Sequence, residues 1–458
     1  MKKILFALLT LTTLSVSAQN NFKVPAYEKF KLKNGLTVYL MEQHEVPLIY
    51  TSVVFDAGSI QDGSRYGLAS LTADALLFGS SKYTKEQIES MTDYVGADLR
   101  SGAGKESAQV SMSFAAKDAD KMFELLQQVL VAPVFDVTEF EKHKQRTLLQ
   151  LTQQKESPRA VIGNYYNKLL FGQHPYGAPT SGTSTTVDKI STKEIKAFYE
   201  KYYTTDRAAI AVVGDFKTAD MKKRITALLG SWKTAKSSAT KSKAPEVDLT
   251  ASKVLLVNKG DARETTFLIG GKGITYNNPD YVPVLVVNTI LGGRFTSWLN
   301  DALRVNSGLT YGAGSRFNRY KEGGTFYIST FTKNSTTVPA IDMALGVLDS
   351  LHRTGLNEEI LASAKAYVKG DFPPNYESSG ALAGLLTDMF VYGFDESFIN
   401  TFQMVVDGLT VTRANEIIGK YFPKENLQFV LVGKADEIRD QVRKYGPITE
   451  KEIKEEGF

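Results

Sequence analysis

No cysteine occurs anywhere in the chain. Disulfides, thiolate zinc sites, cysteine nucleophiles and a lipid-modified cysteine are therefore excluded, and core burial must hold the fold. Histidine is scarce as well. His44, His143, His174 and His352 are the only four and lie far apart, so none forms the close pair of a helix-borne metal site. His44, His143 and His352 sit among charged residues and read as surface positions. His174 opens the turn Pro175-Tyr176-Gly177 and reads as a hydrogen-bonding loop residue. Strong charge of one sign is also missing. The formal net charge is +4, with no block of like charge, which leaves no electrostatic footprint for nucleic acid. Beyond the N-terminus no segment reads as a bilayer span, which needs about 20 apolar residues.

The N-terminus has a three-part pattern. Lys2 and Lys3 form a basic start, Ile4 to Leu14 is apolar apart from threonines, and Val16-Ser17-Ala18 supplies small residues for cleavage. This is the pattern of a secretory signal peptide over residues 1–18. It predicts cleavage after Ala18 and export, with the periplasm as the expected compartment. About 440 residues remain. That is too many for one ordinary core, so at least two domains are expected.

The remainder reads as one plan used twice. In the first half, a helix over Lys193 to Tyr203 leads into the apolar strand Ala208 to Val213, ended by Gly214. In the second, a helix over Ala414 to Tyr421 leads into Leu427 to Val432, ended by Gly433. Earlier, Leu36 to Leu40 and Tyr50 to Phe55 read as a hairpin-like pair feeding a helix near Leu68 to Phe78. Lys253 to Val257 and Thr265 to Ile269 do the same before a helix over Val282 to Leu291. A capping box at Thr138-Glu139-Phe140-Glu141 is expected to open a long helix, and Asn357 to cap its counterpart. Thr234 to Pro245 has no apolar periodicity and reads as a linker. The expected organisation is an N-terminal domain over 19–233, a linker over 234–245 and a C-terminal domain over 246–458. Mixed strands and helices predict two α+β sandwiches, each a largely antiparallel sheet with helices packed on one face.

Two segments carry a resemblance. Val54-Phe55-Asp56-Ala57-Gly58-Ser59 is followed by Gly67-Leu68-Ala69-Ser70-Leu71-Thr72-Ala73-Asp74-Ala75-Leu76-Leu77-Phe78-Gly79-Ser80. Together with His174 to Gly177, Leu291-Gly292-Gly293 and the stretch to Gly312, this resembles the pitrilysin or insulinase-type inverted zinc peptidases over nearly the whole mature chain. The resemblance implies a helix bearing H-x-x-E-H, whose histidines bind zinc and whose glutamate activates water. Here those positions hold Ser70, Leu71, Thr72, Ala73 and Asp74. The family's third ligand, a glutamate on the later long helix, aligns with Gln150, or with Leu149 if shifted by one. A catalytic zinc needs about three protein ligands, so no zinc of its own is expected.

The second half keeps what the first has lost. Trp298 to Arg304 reads as an amphipathic helix ended at Gly308, and Leu309-Thr310-Tyr311-Gly312 as the start of a strand. This resembles the family's R-x-x-x-G-L-x-Y signature. The resemblance implies that Arg304 holds a substrate carbonyl or carboxylate and that Tyr311 hydrogen-bonds the scissile carbonyl oxygen. It further implies a non-catalytic subunit of a two-chain peptidase. Zinc would sit only in a partner with H-x-x-E-H, and unfolded peptide would be the substrate. The alternative is an inactive peptide-binding clamp or assembly subunit, as in the core subunits of the respiratory cytochrome complex. Leu291-Gly292-Gly293 runs straight into Arg294-Phe295 without the long glycine-rich loop of the mitochondrial processing peptidase's zinc-free subunit, so presequence recognition is not implied.

Overall fold

The computed structural model of the chain describes residues 22–232, 234, 236, 243–247 and 249–458. The expected signal peptide and most of the expected linker lie outside them. Twelve strands form two six-stranded mixed sheets among the described residues. The first holds β1 (Glu28–Lys31), β2 (Thr37–Glu42), β3 (Leu48–Phe55), β4 (Asp98–Ala103), β5 (Ala108–Ala115) and β6 (Ala208–Gly214), in the order β1-β2-β6-β3-β5-β4. The second holds β7 (Lys253–Asn258), β8 (Glu264–Lys272), β9 (Ala313–Arg319), β10 (Gly324–Lys333), β11 (Gln428–Gly433) and β12 (Ile448–Glu452), in the order β12-β7-β11-β8-β10-β9.

The duplicated plan is visible in the ladders. β6 runs parallel to β2 and antiparallel to β3, and β11 stands in the same relation to β7 and β8. The expected hairpins are thereby corrected. β2 and β3 are not neighbours, because β6 inserts between them, and β11 separates β7 from β8 in the same way. Both inserted strands are buried along their whole length, as a central strand covered on two faces requires. The plan breaks at one edge. β1 precedes its neighbour and pairs antiparallel, whereas β12 comes from the C-terminus and pairs parallel.

Each half's own helices lie on one face of its sheet. Val38, Leu40, Ile210 and Val212 point into that layer in the first half. The opposite faces are closed by exchange. Helix Pro158–Phe171 belongs to the first half but packs on β8 and β11, burying Leu255, Val257, Leu268, Val430 and Val432. Helix Ser379–Tyr392 belongs to the second half but packs on β3 and β6, burying Tyr39, Met41, Val54 and Val213. Strand alternation explains why both covers are needed, since even and odd residues alike are apolar in β6 and, after Gln428, in β11. Tyr166 on the first exchanged helix donates to the Phe326 carbonyl at 2.6 Å. Gly270 makes room for it, because a Cβ there would lie 2.0 Å from that carbonyl oxygen and 2.7 Å from the Tyr166 hydroxyl.

Two smaller expectations also change. The long helix of the first half runs Val137–Gln154, and its cap is Asp136, whose carboxylate accepts from the Glu139 N–H at 2.9 Å. Thr138 is inside the helix. Asn357 caps Glu358–Asp371 as expected. Second, the stretch Tyr281–Asn306 has the length and hydropathy to cross a bilayer, contrary to expectation, and 61% of its apolar 18-residue window is buried inside the protein. It contains the core helix Tyr281–Asn288 and breaks between Arg294 and Ser297.

Candidate functional site

Helix Leu68–Ala75 carries the remnant of the zinc motif. A buried carboxylate organises its start. Asp62 accepts from the Gly67 N–H at 2.9 Å and the Ala69 N–H at 2.8 Å, satisfying two donors that a helix start leaves open. Burial dominates the Asp62 environment and pushes its pKa up to about 7, against these bonds and nearby Lys105. The unfolded carboxyl titrates near the ordinary value, so between about pH 4 and 7 only the folded state keeps the proton. Stability from this group is complete below that window and falls as pH rises through it, by up to about 1.4 kcal/mol per pH unit. Asp62→Asn should flatten the slope of unfolding free energy against pH relative to wild type across pH 4–7. Equal slopes in parallel denaturant titrations would remove Asp62 as the source.

Along the helix, Ser70 is half-buried, Ala73 is fully buried and its carbonyl accepts from the Ser101 hydroxyl at 2.6 Å. Asp74 Oδ2 lies 3.0 Å from His143 Nε2. Asp74, His143, Arg146 and Gln150 line one cavity of about 460 Å³. His143 and Gln150 are two turns apart on Val137–Gln154 and share its face. Of the positions aligned from sequence, Asp74 and Gln150 line this cavity, whereas Ser70, Ala73 and Leu149 do not. The residues there do not fit zinc. The carboxylates of this cavity are Asp74, engaged by His143, and Glu89, 3.5 Å from Lys85, and no group of three His, Cys, Asp or Glu residues suited to a metal occurs among the described residues. The purified mature chain should carry no stoichiometric zinc by elemental analysis after dialysis. One zinc per chain would refute this.

The surface reading of two histidines is corrected. His143 is 25% exposed and packs on Phe78 with ring centroids 5.2 Å apart. His352 is partly buried, and burial lowers its pKa. His44 is exposed between Glu42 and Asp215, as expected. His174 serves its turn: Nδ1 accepts from the Tyr176 N–H at 3.1 Å and Nε2 donates to the Lys243 carbonyl at 2.9 Å.

In the second half, Trp298–Asn300 is α-helical but Asp301–Asn306 widens into a π turn, so the expected single α-helix is modified. Leu299 and Leu303 anchor it in the core, while Arg304 is exposed and lies 4.6 Å over the Phe295 ring. Gly308 has φ +65° and ends the turn. Strand β9 begins at Ala313, leaving Tyr311 on a bend. The bend is pinned on both sides. The Thr310 hydroxyl oxygen accepts from the Gly312 N–H at 3.2 Å, the Gly312 carbonyl accepts from Thr330 Oγ1 at 2.8 Å, and Asn300 Oδ1 accepts from the Ala313 N–H at 3.3 Å. The Tyr311 side chain is 82% exposed. Beside it, Arg304, Gly312, Ala313 and Gly314 line a cavity of about 570 Å³. An earlier π turn, Thr289–Gly293, closes against β9 here, and Gly292 permits the approach, since a Cβ would lie 2.2 Å from the Ser315 nitrogen. Sequence reading missed Arg159 and Arg294 in this cavity; neither stands in a motif.

Duplicated mixed-sheet domains and a zinc-motif helix with no metal ligand set among the described residues describe a metallopeptidase-type chain that lacks the zinc motif. The chain belongs to peptidase family M16, the insulinase family. Residues 37–184 match "Insulinase (Peptidase family M16)" and residues 189–368 match "Peptidase M16 inactive domain". The chain is 22% identical over 355 residues to "Uncharacterized zinc protease YmxG" of Bacillus subtilis, covering 77% of this chain and 85% of that one. It is 22% identical over 395 residues to "Non-peptidase homolog YmxG" of Helicobacter pylori, covering 85% and 90%. The solved structure of a peptidase M16 inactive domain from Pseudomonas fluorescens superposes with a TM-score of 0.84 at 25% identity, covering 89% of this chain and 98% of that one.

Proposed function

We propose that this chain is the non-catalytic subunit of an exported heteromeric zinc endopeptidase. It encloses unfolded peptide and donates Arg304 and Tyr311 to the zinc site of an H-x-x-E-H partner. The observation that carries this reading is Tyr311. Its backbone is fixed on both sides, yet its ring is 82% exposed and its hydroxyl makes no hydrogen bond among the described residues. A large aromatic held rigidly in solvent next to a cavity suits a surface that another molecule covers. The remnant helix supports the same division of labour, since its chemistry must come from another chain. Co-purification from the native source tests the reading, with peptide cleavage measured with and without chelator. A partner bearing H-x-x-E-H and chelator-sensitive cleavage that needs both chains are expected. Cleavage by the partner at full rate without this chain would sink the proposal and favour the clamp or assembly role.

A further inference from the structure

The 570 Å³ cavity beside Tyr311 collects three arginines from separate parts of the chain. Arg159 comes from the first turn of the exchanged helix Pro158–Phe171, Arg294 from the end of the π turn Thr289–Gly293, and Arg304 from the π turn Asp301–Asn306. Each guanidinium lies over a ring: Arg159 at 3.5 Å from the Phe331 centroid, Arg294 at 5.8 Å from Tyr367, and Arg304 at 4.6 Å from Phe295. A guanidinium seated over a ring keeps in-plane N–H donors for a planar acceptor.

Internal counter-charge is thin. Glu264 stands 3.9 Å from Arg159, and no carboxylate lies within 4.0 Å of Arg294 or Arg304 among the described residues. Arg294 is steadied by Ser363, whose hydroxyl accepts at 3.1 Å, while its Nε is buried without a partner. The cavity continues into a second of about 520 Å³ that shares Gly314, Tyr327 and Ser329 and adds Arg316 from edge strand β9. The result is a trough with arginines along its length, in a chain whose overall charge is close to neutral.

We infer that this trough selects acidic peptide segments, with Arg159, Arg294 and Arg304 receiving side-chain or C-terminal carboxylates. The inference rests on the peptide-enclosing reading above and adds the substrate class. A guanidinium fork matches a carboxylate in two parallel hydrogen bonds. The ring beneath each arginine limits the conformational entropy lost on binding. The trough is continuous over two cavities, which suits an extended chain better than a small anion.

The test is fluorescence anisotropy with the full mature chain and an unstructured labelled peptide carrying several glutamates, its glutamine counterpart and its C-amidated form. The glutamate peptide should bind about tenfold tighter than the glutamine one, the low end for a charge-assisted hydrogen bond, and should weaken with salt. Arg159→Gln and Arg294→Gln should each erase most of that preference, leaving the thermal midpoint and the affinity for the glutamine peptide unchanged. Loss on amidation assigns the C-terminal carboxylate as the ligand; loss on Glu→Gln assigns the side chains. Equal affinity for all three peptides overturns the inference, as does a preference that survives both substitutions. Equal but measurable binding leaves the peptide-enclosing reading standing. No binding to any peptide, with or without the partner, overturns both.

Discussion

Produced apart, residues 19–233 and 246–458 should each fail to fold, and produced together they should assemble. The reason is the helix exchange. Without Ser379–Tyr392, the first sheet exposes Tyr39, Met41, Val54 and Val213. Without Pro158–Phe171, the second exposes Leu255, Val257, Leu268, Val430 and Val432. At about 2 kcal/mol per large apolar side chain, the first loss is roughly 8 kcal/mol and the second roughly 10 kcal/mol. Either is comparable with the whole net stability of an ordinary domain. The second half also loses the bond from Tyr166 to the Phe326 carbonyl. Gel filtration and circular dichroism of the separate and co-expressed halves decide the matter. A soluble first half that unfolds cooperatively on its own would show that the exchange is not needed for folding. A milder version, Tyr166→Phe in the full chain, removes only the buried hydrogen bond and should cost about 1–3 kcal/mol, because the Phe326 carbonyl loses its tyrosine donor.

Strand identity was legible because it is local, whereas strand adjacency was not. Ala208 to Gly214 and Phe429 to Gly433 declare themselves as apolar runs ended by glycine. Which strands they separate depends on contacts with residues far away in sequence, so β2 and β3 looked like a hairpin. The same runs held the one hint of the exchange. Ala209, Ala211 and Val213 are as apolar as Ile210 and Val212, so a second cover was required. Nothing local says which half supplies it. The misplaced cap has a simpler cause. Asp136 to Glu139 and Thr138 to Glu141 both fit the capping pattern, and the chain uses the earlier frame, with Asp136 accepting from the Glu139 N–H. The zinc-motif positions and Arg304 were legible only through the family resemblance. Arg159 and Arg294 were not, because they meet through tertiary packing alone.

On the proposed division of labour, Tyr311→Phe should lower turnover by the assembled pair about 100-fold, the scale set by removing one donor to a developing oxyanion. Folding and assembly should hardly change. The ring stays, the hydroxyl has no partner among the described residues, and the bend is fixed by Thr310, Gly312 and Asn300 rather than by the tyrosine. A surface change of this kind moves stability by no more than about 0.5 kcal/mol. The kinetic signature separates this role from simple peptide holding. A donor whose bond strengthens as the carbonyl gains charge affects kcat and leaves KM near its wild-type value. A donor that only binds substrate raises KM and leaves kcat alone. The measurement is therefore steady-state cleavage by the reconstituted pair, with partner and zinc content held constant. A fall in kcat with intact assembly places Tyr311 at the reacting carbonyl. An unchanged kcat would confine this chain to holding peptide, with the partner supplying every group that touches the reacting atoms.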